Sequence, residues 1–255
     1  INGSGSNLAD SGLELDGAVD CNISHCIISS NYYGLKLIYA PRTNVQNLTI
    51  VSNQRSGFYI DNTDDCFISN NIIIDNVQNG LYLYRSDRNQ IQINNVSNNS
   101  ENGIYLSQSE YNTLSHNDLF KNTLDGIRLY IDSVYNTIER NNATGNYRDG
   151  IRIEESSNWN YVGNNTANQN DNGFYLSYAS SNTLFNNTFS YNYWKGIEFR
   201  ASSYGKIINN TISHNQDTGI IIQELISTPS HHNTISGNVI NDNDGSGIHL
   251  YETHN

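Results

Sequence analysis

The chain has 255 residues, of which 15% are charged and 36% hydrophobic, and its 13 basic and 25 acidic residues leave a net charge of −12. That balance argues against nucleic acid as a partner, because phosphate binding needs a basic surface. No apolar run approaches the roughly 20 residues that span a bilayer, so no membrane span is expected.

From Gly12 onward one four-residue phrase recurs, glycine-apolar-x-apolar, opening at Gly12, Gly34, Gly57, Gly80, Gly103, Gly126, Gly150, Gly173, Gly196, Gly219 and Gly247. The intervals are 22, 23, 23, 23, 23, 24, 23, 23, 23 and 28 residues. A period in this range marks a solenoid. Within each phrase the apolar residues stand two apart, so on a strand both face the same way and the residue between them faces the other. Leu81 and Leu83, or Ile127 and Leu129, therefore point inward, and Tyr82 or Arg128 points outward. One such strand cannot bury its apolar pair alone; stacking the repeats joins the pairs into a continuous core. No helical periodicity interrupts the pattern, so residues 1–255 are expected to form a single domain. The lack of any Met and the abrupt Ile1 and Asn255 suggest a segment of a longer protein.

Asparagines recur in phase with the glycines. Four residues ahead of most of them stand Asn53, Asn76, Asn99, Asn122, Asn146, Asn192, Asn215 and Asn243, with Gln169 filling the place in one coil. About ten residues after the glycine comes an Asn-led apolar stretch, such as Asn112-Thr113-Leu114 or Asn182-Thr183-Leu184. Asn tolerates left-handed backbone and its amide can bond to the equivalent Asn one coil away, so these are expected to be structural ladders.

The alternation of G-I-x-L with N-x-I-x-x-N, from Gly12 to Tyr251, resembles the parallel β-helix repeat of the NosD-like and carbohydrate-binding and sugar-hydrolysis (CASH) group. The resemblance implies an all-β, right-handed parallel β-helix of about eleven coils with a 22–24-residue repeat. That group includes polysaccharide lyases, hydrolases and epimerases, but also surface proteins without known activity, so function must be argued from the site.

Three cysteines occupy the early coils. Cys21 and Cys66 each lie nine residues past a repeat glycine, two coils or about 9.6 Å apart, beyond disulfide reach. Cys21 and Cys26 are near enough for a bond across a turn, although small apolar filling explains all three. Asn241-Asp242-Asn243-Asp244-Gly245 offers a weak calcium signal without the register of a calcium loop, and an ordinary turn is the simpler reading; no other cofactor or metal is implied. His231 and His232, near Pro229 in the one long coil, alternate direction on a strand and read as a surface loop.

The outward positions are not dictated by the fold. Two residues after the glycines the column reads Glu14, Lys36, Tyr59, Tyr82, Tyr105, Arg128, Arg152, Tyr175, Glu198, Ile221 and His249; four after, it includes Tyr84, Tyr130, Glu154 and Arg200. Tyr is a plate for sugar rings, and Arg with a carboxylate orients hydroxyls and carboxylates. Tyr82, Tyr84, Tyr105, Tyr130, Tyr175, Trp194 and Arg200 are the expected polysaccharide contacts. The same residues also suit mutual stacking and salt-bridged ladders. Charge concentrates in coils six to nine, where Asp125, Arg148, Asp149, Asp171, Lys195 and Asp217 precede the glycines. There Glu154 and Glu198 form a carboxylate pair suited to glycoside hydrolysis, while Arg152 and Arg128, with Tyr130, suit a lyase that neutralises a uronate carboxylate. An acidic surface rich in Asn, Ser and Tyr, with sequons such as Asn95-Val96-Ser97, fits an extracellular or cell-surface protein. The rival expectation is a non-catalytic rod of a surface layer, sheath or filament that self-associates end to end or side by side.

Overall fold

The computed structural model describes residues 10–225, 228 and 230–251; Ile1, Pro229 and Asn255 lie outside them. Every repeat glycine opens one coil of a parallel β-helix, and coils are numbered here by glycine, from coil 1 at Gly12 to coil 11 at Gly247. The glycine phrases form one parallel sheet of 11 strands, each paired in register with the next, so that Tyr82 lies beside Tyr105 and Arg128 beside Arg152. The Asn-led stretches form a second sheet of 10 strands. A third face closes the coil. It is a 4-stranded sheet through coil 4 and a 2-stranded one in coils 9 and 10, joined by single bridges through Asp118, Asn142, Thr166 and Thr188.

The expected inward pairs are buried from Leu35 and Leu37 through Ile220 and Ile222. Leu13 and Leu15 are only partly covered, and Ile248 and Leu250 are exposed, because a terminal coil is packed from one side only. Third-face core residues vary in size and compensate across the helix: Ala143 and Ala167 stand where neighbouring coils carry Leu119 and Phe189, and Phe174 packs 6.0 Å from Phe189 and 6.1 Å from Phe199. The glycines are required by close approach. A Cβ on Gly126 would lie 2.6 Å from the Gly150 carbonyl oxygen and 2.8 Å from the Asn146 amide nitrogen, so any side chain would push the coils apart.

Three asparagine ladders run along the corners. In the one ahead of the glycines, Asn99 Nδ2 donates to Asn122 Oδ1 at 3.1 Å, and Asn122 in turn to Asn146 at 3.0 Å. A second joins Asn112, Asn136 and Asn160, and a third, Asn94 through Asn117, Asn141 and Asn165, closes each N-x-I-x-x-N phrase. The expected left-handed asparagines are one residue out of place. The positive φ belongs to the residue before each rung, such as Ile93, Lys121 and Tyr135 at 56°, 55° and 56°, which turns the chain so that the following Asn points inward. Gln169 is accordingly not a rung. Its φ is 56°, and Asn170 accepts from Asn146 Nδ2 instead.

That shift exposes an irregularity. Three residues separate the rung from the next glycine at Asn122–Gly126, Asn146–Gly150 and Asn192–Gly196, but only Asp171 and Asn172 separate Asn170 from Gly173. Coils 6 and 7 add a residue elsewhere, in the turn after the glycine strand, where Ile131 and Asp132, then Glu155 and Ser156, are both left-handed. The cysteines are all free; Cys66 is buried and its thiol is pushed up to about 11 by that burial, whereas Cys21 and Cys26 are half-exposed. Asn243 spends its side chain on the ladder, accepting from Asn215 at 2.8 Å, and His231 and His232 pack around Tyr204. Among the described residues no helix is long and apolar enough to cross a membrane.

Candidate functional site

The outward columns of the first sheet divide into two stretches. From the corner ahead of coil 2 through coil 5, tyrosines satisfy one another: ring centroids are 5.5 Å apart for Tyr33 and Tyr59, 5.3 Å for Tyr59 and Tyr82, and 4.7 Å for the nearly parallel Tyr82 and Tyr105. These rings are half-buried rather than fully exposed as expected, because each covers the next. Burial, reinforced by Tyr105 and Tyr84, pushes the Tyr82 phenol up to about 12. Tyr84 turns toward Arg85 and Tyr130 toward Arg128, with guanidinium carbons 4.7 Å from each ring. Tyr82, Tyr84, Tyr105 and Tyr130 thus form a stacked surface continuing away from the charged coils.

From coil 6 onward, charge replaces the stack. Arg152, in the strand Asp149–Glu154, is itself buried and forks between Asp149 Oδ2 and Glu154 Oε1, both at 2.6 Å. The other Glu154 oxygen accepts from Arg128 Nη2 at 2.9 Å. Burial alone would raise the Glu154 carboxyl, but these two arginines outweigh it and hold the group below its ordinary value. Burial likewise opposes the charge on Arg152, and its hydrogen bond to Glu154 and the charge of Asp149 prevail. Two coils on, Glu198 is buried and bound by Arg200 Nε at 2.6 Å, Gln223 Nε2 at 3.0 Å and Lys195 Nζ at 3.1 Å. In register, Glu154 lies beside Ser177, and Glu198 beside Tyr175, so coil 8 separates the two glutamates.

Tyr175 stands between the two networks, its ring 3.9 Å from the Arg152 guanidinium carbon and 5.7 Å from that of Arg200. Around it opens a groove of about 280 Å³, walled by Arg148, Asp149, Asp171, Asn172 and the exposed Trp194, with Arg152, Glu198 and Arg200 along the strand side. Arg152, Tyr175, Trp194, Glu198 and Arg200 thus lie together around this groove, with Arg128 and Glu154 behind them.

A buried polar ladder immediately ahead of the glycines lies under the groove. Asn102 Nδ2 donates to Asn79 Oδ1 at 2.8 Å, and the Asp125 amide donates to Asn102 Oδ1 at 3.1 Å. The Asp149 amide donates to Asp125 Oδ1 at 3.1 Å, and Asn172 Nδ2 to Asp149 Oδ1 at 2.8 Å. Two carboxylates therefore interrupt a run of amides. Asp125 is 0% exposed and its Oδ2 has no hydrogen-bond partner. Burial and the adjacent Asp149 push Asp125 up to about 7. Burial raises Asp149 as well, but Arg152 and Asn172 at bonding distance favour its ionised form, so Asp125, with one oxygen unpartnered, is the readier of the two to hold a proton.

Asp171 has a different setting. It is exposed at the two-residue corner, and among the groove carboxylates of the described residues it alone has no cation within 4 Å: Asp149 is bound by Arg152, and Glu198 by Lys195 and Arg200. Burial against the corner raises its carboxyl, and Arg148 partly offsets this. The sequence shows Asp171 among the charges ahead of the glycines without giving it a role; the short corner, readable as Asn170 only two positions short of Asn172-Gly173 and otherwise seen at Asn31-Tyr32-Tyr33-Gly34, distinguishes it from the corners of coils 6 and 8.

A family profile described as "Right handed beta helix region" matches residues 4–119, 42–189 and 126–255. No curated protein matches the chain by sequence. Among solved structures, the A-module of the Azotobacter vinelandii mannuronan C-5 epimerase AlgE6 is similar with a TM-score of 0.73 at 16% identity, covering 90% of this chain and 71% of that one. The periplasmic alginate epimerase AlgG, as its T265N mutant, gives 0.67 at 15% identity, covering 86% and 73%. The alginate lyase of Paenibacillus sp. str. FPU-7 gives 0.69 at 10% identity, covering 95% and 98%. Likeness at such identities extends to the fold alone, and by that fold and by the profile that spans it the chain belongs to the right-handed β-helix family.

Proposed function

We propose that the groove binds an extended acidic polysaccharide and acts on it by removing the proton beside a uronate carboxylate, as a lyase or an epimerase does, outside the cell or at its surface. The observation that carries this reading is Asp171: a carboxylate free of bound cations and raised above its ordinary value, facing a groove where Arg148, Arg152 and Arg200 supply positive charge. A base with no cation bonded to it, beside arginines, is what proton abstraction next to a carboxylate needs. Five of the chain's 13 basic residues, Arg128, Arg148, Arg152, Lys195 and Arg200, gather in and behind this groove of an otherwise acidic protein. The alginate-active enzymes among the structural neighbours are consistent with such a substrate.

In this reading Arg152 and Arg200 neutralise the substrate carboxylate, and Asp171 takes the C-5 proton. The resulting charge on the carboxylate oxygens either expels the C-4 oxygen, leaving a C4–C5 double bond, or is quenched by a proton delivered to the opposite face. Tyr175, between the arginines, supplies that proton or protonates the departing oxygen. Glu154 and Glu198 orient arginines here. The hydrolytic alternative requires one of them as a protonated acid, but Arg152 and Arg128 hold Glu154 below its ordinary carboxyl value, and Glu198 already spends its oxygens on Arg200, Gln223 and Lys195.

The test is incubation with polymannuronate, polyguluronate and polygalacturonate in D2O, following unsaturated ends by ultraviolet absorbance and C-5 deuterium by NMR. Turnover on one of them, lost in Asp171→Asn while polymer binding remains, is the expected result. Absence of both signals with every uronan, or reducing ends released from a neutral glycan by Asp171→Asn, overturns it.

A further inference from the structure

On the other side of the ridge that carries Arg148, Asp171 and Trp194 lies a second and larger groove, of about 510 Å³, on the third face of the helix. Its origin is local. Along that face the left-handed residue before each rung carries a side chain, Lys121 in coil 5 and Gln169 in coil 7, but coil 6 has Gly145, where a Cβ would meet nothing within 4 Å. The floor is open there. Tyr147 and Tyr193, 74% and 57% exposed, stand on either side of the coil whose corner lacks a residue, so no side chain fills the place between them. They are two coils apart, about 9.6 Å by strand spacing.

The lining differs in chemistry from that of the first groove, whose wall carries three arginines and three carboxylates. One Lys121 and one Asp171 balance, and the remaining polar groups are amides and phenols. Two exposed aromatic plates flanking a concave floor of neutral donors and acceptors suit sugar rings without charge: the rings lie on the tyrosines while Gln169 and the phenol oxygens bond to hydroxyls. We propose that this groove is a second carbohydrate site that takes a neutral glycan, so that one ridge separates a surface for acidic polymer from a surface for uncharged polymer. The two grooves share Asp171 on the ridge, but this site rests on Tyr147, Tyr193 and Gly145, which the first groove does not use.

Affinity electrophoresis through gels holding soluble mixed-linkage β-glucan, glucomannan, galactomannan or xyloglucan tests it on the whole chain. The wild-type protein is expected to be retarded by at least one of them. Tyr147→Ala/Tyr193→Ala should weaken that retardation at least tenfold, and so should Gly145→Gln, which places on the floor the side chain of the neighbouring Gln169; Lys121 and Gln169 already hold this backbone conformation with side chains. Arg152→Lys should migrate as wild type in these gels, and the double tyrosine variant should retain any activity on uronans. No retardation of wild type by any of the four glycans overturns the proposal, as does retardation that survives both groove variants or is lost only in Arg152→Lys.

Discussion

Coils 2 to 5 and coils 6 to 9 use the same core and the same glycine phrase, yet present opposite kinds of surface. In the first stretch the repeat interval is a constant 23 residues, and Tyr59, Tyr82 and Tyr105 meet their equivalents one coil away, so the column is closed upon itself. In the second, extra residues enter the turns at Ile131 and Glu155 and one is lost at the Asp171 corner, amides of a buried ladder become Asp125 and Asp149, and side chains face a groove. A regular solenoid satisfies its own surface; breaks in regularity leave groups available to a ligand.

The largest expected effect falls on the hub of the irregular stretch. Arg152→Ala leaves Asp149 and Glu154 without their shared cation and should cost about 3–5 kcal/mol in chemical denaturation. Tyr59→Ala, in the regular stretch, removes ring stacking, part of a half-buried surface and the hydroxyl's 3.3 Å bond to Asp61, and should cost less. A comparable loss from both would break the comparison.

The core beneath should not share the contrast. Leu83→Ala in coil 4 and Ile153→Ala in coil 7 each truncate a fully buried ladder residue and should each cost about 2–5 kcal/mol. A loss in one stretch several-fold that in the other would place the irregularity in the core rather than the surface.

Asp125→Asn restores the amide found at Asn79 and Asn102. Because the folded-state pKa of Asp125 is raised to about 7, its contribution is fully present below the ordinary carboxylate range and is lost as pH rises through 7. The variant should therefore melt above wild type at pH 8, by roughly 2–6 °C, and the difference should shrink toward pH 4. Melting curves separated equally at both pH values would mean that Asp125 does not carry the proton.

Asp171 titrates in the same direction but is exposed, so its signature is expected in rate and not in stability. With a raised carboxyl that must lose its proton to act, kcat/KM on a uronan should rise with pH through a midpoint above that of an ordinary aspartate. A flat acidic limb would remove Asp171 from the base role. Smallest of all is the coupling of Tyr82 with Tyr105, about 0.5–1.5 kcal/mol beyond area burial in a double-mutant cycle, and Tyr82→Ala should leave turnover unchanged.

The repeat made the coil count, the inward pairs and the first asparagine ladder legible in the sequence, because an apolar pair at period two and a glycine pressed against the next coil are local requirements that recur. The residues of the charged stretch were legible too, as departures from Asn, Ser and Tyr at outward positions. Their partners were not. Whether Glu154 is an acid or a clamp depends on Arg128, 26 residues away, and Glu198 is held partly by Gln223, 25 residues away, contacts that exist only once coils stack. The same holds for Gln169, taken for a rung at a fixed offset from its glycine: hydrogen bonding along the ladder chose Asn170, shortened the corner, and left Asp171 facing the groove. Sequence determined the coil because each coil repeats the same local demands; the tertiary structure decided the site because a site is made of the places where neighbouring coils fail to match.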